Sequence, residues 1–142
     1  MARVLIVDGH SMVFASRELL AEHRANPRRA RQSLIGRMNA YQGATDVSVV
    51  LVFDGRGSRE TREGGDEGEA LVIYSPAGTT ADAVIERVAA AQAPRHQVTV
   101  ASNDRMVLEA AMSSGAEAIS IRILEGEMAR RMDEFRDKWE LG

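Results

Sequence analysis

Apolar residues in this chain occur in short, almost uninterrupted runs separated by stretches with helical periodicity. Four runs bounded by turn residues are typical of fully buried strands: residues 3–8 ("RVLIVD"), 47–55 ("VSVVLVFDG"), 70–75 and 97–102. Residues 117–121 form a weak fifth strand or an irregular link. Strands that are apolar throughout, without alternation, favour a parallel sheet covered on both faces.

Amphipathic stretches lie between and after these strands. The spacing predicts helices from about Ser16, over 27–41, over 79–92, over 104–115 and over 124–140. Residues 58–69 ("SRETREGGDEGE") carry many charges without periodicity, so we expect a mobile loop there. The inner face of the terminal helix is predicted to consist of Leu124, Met128, Met132, Phe135 and Trp139.

Alternating strands and helices indicate the α/β class, with a central parallel sheet of four to five strands and helices on both faces, in three layers. We find no internal repeat and no linker. A chain of 142 residues can bury a single core. We therefore expect one domain, 1–142.

Composition excludes several classes of protein. No apolar run approaches the roughly 18 residues that a membrane span needs, and "MARVLIVD" is too short and too soon charged for a signal peptide. The absence of cysteine excludes disulfides and thiolate chemistry. These features predict a cytoplasmic protein without membrane association, and they carry no signal for its oligomeric state.

Four aspartates follow successive strands of the predicted sheet. Asp8 and Asp54 end the first two strands, Asp82 lies in the first turn of the helix after the third, and Asp104 begins the helix after the fourth. Turn and capping chemistry explains any one of them equally well. The carboxyl ends of parallel strands share one edge, however, and four converging carboxylates repel each other unless a cation binds them. We therefore favour a site for Mg²⁺ or a similar hard cation.

The chain resembles a known family at several motifs in order. "VLIVDGHSMVF", "AYQGATDVSVVLVFDG", "TTADAVIERV" and "VTVASND" are similar to the YacP-like branch of the NYN domains, within the PIN-like nuclease superfamily. The most specific pieces are "TAD" at 80–82 and "SND" at 102–104. The resemblance covers nearly the whole chain and implies a PIN-like fold.

The resemblance also implies an activity and a site. It suggests a metal-dependent endoribonuclease that cleaves single-stranded RNA, with messenger RNA on the ribosome as the substrate of related proteins. Asp8, Asp82 and Asp104 would be catalytic and would hold Mg²⁺ or Mn²⁺, and Asp54 would assist them.

Two positions depart from the family pattern. The family usually has an aromatic residue and asparagine where this chain has His10 and Ser11, and often a further acid where it has Ala83. Fewer carboxylates weaken metal binding, so a PIN-like RNA- or ribosome-binding module with little or no activity is the alternative. His10 is interpreted as a solvent-facing loop residue rather than a general acid or base.

Contacts with RNA are expected from residues near the predicted site and from an arginine-rich helix. Arginines neutralise phosphates, although a solvated helix face explains the same pattern. Aromatic side chains are few and mostly at predicted core positions, so intrinsic RNA affinity should be modest and a partner such as the ribosome would supply positioning. The candidate contacts are Ser11, Arg28, Arg29, Arg31, Asn103 and Arg105.

Other phosphate-handling classes fit less well. Haloacid-dehalogenase-type phosphatases need a second aspartate where this chain has His10, and both they and receiver domains need a lysine near the phosphate. Lys138, in the predicted terminal helix, is the only lysine in the sequence. A dinucleotide-binding fold would need a glycine fingerprint that "DGHSMV" lacks.

Overall fold

The computed structural model describes residues 1–140 and is built around one six-stranded sheet. The strand order is β3-β4-β2-β1-β5-β6, and every neighbouring pair is parallel except β3 and β4, which are antiparallel. The strands are β1 (Arg3–Asp8), β2 (Val47–Asp54), β3 (Thr61–Gly64), β4 (Leu71–Ser75), β5 (Gln97–Ala101) and β6 (Glu117–Ile119).

Six helices surround the sheet, and the predicted three-layer α/β arrangement is confirmed. The helices are α1 (Gly9–Ala15), α2 (Arg17–Ala25), α3 (Pro27–Ala44), α4 (Ala81–Gln92), α5 (Arg105–Ser113) and α6 (Ile121–Glu140). The predicted single domain 1–142 includes Leu141 and Gly142, which lie outside the described residues.

Alternate residues of the central strands feed two separate hydrophobic cores. In β1, Leu5 and Val7 pack with α1, α2, α3 and α6 on one face of the sheet. Val4 and Ile6 pack with α4 and α5 on the other face. Because both faces are covered, the central strands need apolar residues at every position, which explains their continuous apolar runs.

The sheet has six strands rather than the predicted four to five, and part of the predicted mobile loop 58–69 is ordered. Thr61–Gly64 forms the edge strand β3, which pairs with β4 through a turn where Gly64 and Gly65 have positive φ. All four residues of β3 are exposed, so the strand carries no apolar pattern. Charged residues on such an edge discourage pairing with other chains.

Two helical features also differ from the prediction. Helix α1, which the sequence pattern did not indicate, begins directly after β1 and includes His10, so this residue is helical rather than part of a loop. On α6, Leu124 is buried and Met128 and Met132 are partly buried, but Phe135 and Trp139 are 40% and 70% exposed. The 20-residue helix is about 30 Å long, whereas the strands are about 20 Å long, so the helix extends beyond the sheet.

In residues 1–140, no helix is both long and apolar enough to cross a membrane.

Candidate active site

Four aspartates lie at the carboxyl ends of the four central parallel strands or in the segments directly after them. Strand β1 stands between β2 and β5, and β4 is the other neighbour of β2. Asp8 and Asp54 are the last residues of β1 and β2, Asp82 is in the first turn of α4, and Asp104 is the N-cap of α5. The chain connections diverge on either side of β1, and in open α/β sheets this is where ligands bind.

Asp8 is the most tightly held of the four. Its side chain is only 4% exposed, and it caps α1 by accepting a hydrogen bond from the Ser11 backbone N–H on Oδ1 (3.3 Å). The Ser11 hydroxyl donates to Oδ2 (2.8 Å), and the Ser102 hydroxyl donates to the same oxygen (2.7 Å). The two serines therefore fix the orientation of a buried carboxylate without neutralising it.

The same serines attach the β5–α5 loop to Asp8. The Ser11 hydroxyl oxygen accepts the backbone N–H of Asn103 (3.0 Å), and the Ser102 hydroxyl oxygen accepts that of Asp104 (3.0 Å). Each hydroxyl thus donates its hydrogen to Asp8 and accepts an amide from the loop. The position of Asp104 relative to Asp8 is set by this network rather than by the strands alone.

Asp54 and Asp104 both stabilise the start of a helix. Asp54 Oδ1 accepts the backbone N–H of Ala81 (2.8 Å) at the first turn of α4. Asp104 Oδ1 accepts that of Met106 (2.9 Å) at the first turn of α5. The capping interpretation and the cation interpretation are therefore compatible, since each residue uses one carboxylate oxygen for a backbone amide.

Asp82 shows the electrostatic consequence of the convergence. Partial burial raises the pKa of its carboxyl above the ordinary value of 3.8, and the negative charges of Asp8 and Asp104 raise the pKa further. A hydrogen bond with Asp104 and the charge of Asp54 act in the same direction. The other three carboxylates therefore all disfavour a negative charge on Asp82.

The donor set fits a hard divalent cation. Throughout residues 1–140, no basic side chain forms an ion pair with any of the four aspartates. Over the same residues the acids do not form a group of three that could hold a metal by themselves. Mg²⁺ needs only one or two direct carboxylates and keeps several waters, so one or two of Asp8, Asp82 and Asp104 would bind it directly and the others would act through its waters.

Ser102 is the residue of this site to which the sequence pattern assigned no role. It is completely buried and bonds to residues on both sides of the site. Its position directly after an apolar strand and two residues before Asp104 was the available signal. For Ser11, the predicted contact with RNA stays a prediction, and its hydroxyl hydrogen is donated to Asp8 in this structure.

The other predicted RNA contacts surround the acidic site or lie on α3. Arg105 is exposed and pairs with Glu109 on the next turn (3.3 Å). Asn103 Oδ1 accepts the backbone N–H of Ile121 (3.1 Å) and so anchors the start of α6. Arg28 and Arg29 are exposed at the start of α3, and Arg31 is partly buried.

Comparisons with known proteins agree with this architecture. Residues 5–141 match the YacP-like NYN domain family. The chain is similar to the crystal structure of Rae1 (YacP) from Bacillus subtilis, with 30% identity and a TM-score of 0.77 over 96% of this chain and 79% of that one. A point mutant of Rae1 gives 32% identity and a TM-score of 0.76 over 92% of this chain and 77% of that one. No curated protein matches the chain.

These similarities confirm the PIN-like fold and the predicted resemblance, and they support a nuclease-like, RNA-related domain. The chain belongs to the YacP-like NYN domain family.

Proposed function

We propose that this protein is an Mg²⁺- or Mn²⁺-dependent endoribonuclease that cleaves single-stranded RNA. The observation that carries the proposal is the convergence of Asp8, Asp54, Asp82 and Asp104 at one edge of the sheet, where burial and the charges of the other three raise the pKa of Asp82. Carboxylates that lie together at the edge of the sheet without basic partners lower the stability of the fold. A bound divalent cation would offset their repulsion and explain their presence there.

Each residue has a defined part in this proposal. A divalent cation, when bound, would lower the pKa of a coordinated water and stabilise the leaving oxygen of the phosphodiester. Asp8 presents a carboxylate whose orientation is fixed by two serine hydroxyls. Asp82 and Asp104 flank it from α4 and α5, and Asp54 assists by holding the start of α4. A water molecule would attack the phosphorus in line, forming a new P–O bond while the opposite P–O bond breaks and its oxygen leaves with a proton.

Cleavage of messenger RNA on the ribosome is the more specific form of the proposal. The resemblance to the YacP-like branch supports it. Four acids at the reaction site repel the phosphates of RNA, and exposed arginines are concentrated elsewhere, at the start of α3. A partner that positions the RNA would offset that repulsion.

The direct test is cleavage of a labelled single-stranded RNA by purified protein, with Mn²⁺ or with EDTA. Wild type should cut internally only with the metal. Asp8→Asn should reduce the rate by about 100-fold or more, since even loss of an outer-shell partner of a metal ligand costs about 10- to 100-fold. Asp46→Asn is the matched control, because Asp46 is exposed and pairs with Arg131 just before β2, at the opposite edge of the sheet.

The alternative is an RNA- or ribosome-binding module without cleavage, and Ala83 at a position where the family often has an acid favours it. That module would bind RNA equally well with Mn²⁺ and with EDTA and would leave the RNA intact in both. Metal-dependent internal cleavage that Asp8→Asn abolishes would exclude it. Repeating the assay with translating ribosomes tests the more specific proposal.

A further inference from the structure

Three rings form a continuous row along α1 and α2. The His10 and Phe14 rings are stacked, with centroids 4.3 Å apart and planes inclined by 26°. His23 meets Phe14 edge-on, with centroids 5.1 Å apart. Phe14 is 46% exposed and His10 is also exposed, so the row is on the surface. The interpretation that aromatic residues lie mostly at core positions is therefore wrong for Phe14.

The row begins two residues after Asp8, in the first turn of α1. Asp8 is the N-cap of α1, and His10 follows it by two residues in the first turn of that helix. Phe14 lies one turn further, about 6 Å along the axis. His23 is in the last turn of α2, directly before Arg24 and close in sequence to Arg28 at the start of α3. The rings thus lead from the carboxylates towards exposed arginines.

We propose that this row is a stacking platform for the bases of single-stranded RNA, with one base placed on the exposed ring of His10 beside the scissile phosphate. The inference rests on the proposed function and specifies how that site selects its substrate. His10 already stacks on Phe14, so a base would extend an existing stack. The arginines that follow His23 in sequence would contact the RNA backbone beyond the rings.

The chemistry of the row favours unpaired nucleic acid over other occupants. Every base has a π-face, so stacking holds a strand without reading its sequence. Bases inside a duplex are already stacked on their neighbours and cannot use the platform. Carboxylates, rings and arginines follow one another in this order. A strand bound along the row would therefore have one phosphate at the cleavage site and others next to the arginines.

The test uses a short single-stranded RNA that carries one 2-aminopurine, whose fluorescence falls when the base stacks on an aromatic ring. Binding is measured with Asp82→Asn protein so that the RNA stays intact. Fluorescence should fall on binding, and the same strand in a duplex should bind much more weakly. His10→Ala and Phe14→Ala should each weaken binding by about 5- to 150-fold, which corresponds to the loss of one stacked base.

The matched control is Phe135→Ala. Phe135 is also an exposed aromatic residue with a ring neighbour, Trp139, at 6.2 Å. It follows Ile121, at the start of α6, by fourteen residues, or about 21 Å along the helix. Its substitution should leave both affinity and fluorescence unchanged. His10→Phe should retain them, because it keeps a ring at the site.

The outcomes separate this inference from the proposed function. Metal-dependent cleavage with no fluorescence change, or with full affinity in His10→Ala, would overturn the platform and leave the nuclease intact. Quenching that His10→Ala removes would support the platform even if wild type cleaves nothing. If Phe14→Ala does not fold, an RNA with one abasic nucleotide replaces it, and equal binding by wild type to abasic and normal RNA would overturn the platform.

Discussion

The Ser102 hydroxyl donates a 2.7 Å hydrogen bond to Asp8 Oδ2, joining two buried residues that are 94 positions apart in the chain. The bond connects the end of β1 to the segment that follows β5, and the same hydroxyl oxygen accepts the backbone N–H of Asp104. Together with Ser11, this small side chain therefore sets the relative positions of two of the proposed metal ligands.

Ser102→Ala should weaken Mn²⁺ binding by about 10- to 100-fold, because a partner that orients a metal ligand is lost. Isothermal titration calorimetry measures the affinity directly. Ser113→Ala is the control, since Ser113 is exposed on α5 and bonds only to the Glu109 carbonyl of its own helix. Equal Mn²⁺ affinities in wild type and Ser102→Ala would contradict a positioning role.

Asp82→Asn should stabilise the metal-free protein at neutral pH. Burial and the charges of Asp8 and Asp104 raise the pKa of Asp82 in the folded state above 3.8. Between pH 3.8 and the raised value the folded protein binds more protons than the unfolded chain, so its free energy of unfolding falls as pH rises through that window.

Thermal melts in EDTA over a range of pH test this linkage. The stability advantage of Asp82→Asn should be present at neutral pH and should vanish below pH 3.8, where Asp82 is protonated in both states. Asp46→Asn should follow wild type, because its exposed ion pair contributes little. If Asp82→Asn melts at a lower temperature than wild type at neutral pH, charge repulsion at Asp82 does not limit the stability of the fold.

Mn²⁺ should raise the melting temperature of wild type, since a ligand that binds only the folded state stabilises it. At about 100 times the Kd the gain is about 2.7 kcal/mol, or roughly 10 °C for a domain of this size. Asp8→Asn should lose most of this shift, and EDTA should reverse it in wild type. An identical shift in Asp8→Asn would assign the metal to another part of the chain.

Gly9→Ala should destabilise the protein by about 1–3 kcal/mol because the position is overpacked. A Cβ at Gly9 would collide with the Phe53 ring and come within 2.9 Å of the Val52 carbonyl oxygen. Gly36→Ala is the matched control, since a Cβ added at Gly36, on α3, would have no atom within 4 Å apart from its own helix backbone. That substitution should stabilise the helix by about 0.5–1 kcal/mol. Equal denaturation midpoints for both variants would contradict the close approach of α1 to β2.

The sequence predicted the central strands and the acidic edge because both follow from short-range rules. Strands covered on two faces must be apolar throughout, and the residue that ends such a strand lies at the sheet edge by construction. Asp8 and Asp54 could therefore be placed without any knowledge of long-range contacts. Thr80, which caps α4 by accepting the Ala83 backbone N–H, is recognisable for the same reason.

The remaining features depend on contacts that no local pattern encodes. Strand β3 is exposed at all four residues and exists because β4 offers it backbone partners. Helix α1 has only seven residues, and its cap is Asp8, which the pattern had already assigned to a metal. The role of Ser102 requires the pairing of β1 with β5, and the exposure of Phe14 depends on how α1 packs against α2 and α3.

Asn103 Oδ1 accepts the backbone N–H of Ile121, the first residue of α6. An attachment to this helix can therefore disturb the site. The backbone N–H of the same asparagine donates to Ser11, which holds Asp8. A tag, a surface tether or a truncation that pulls on α6 therefore acts on the residue next to Asp104.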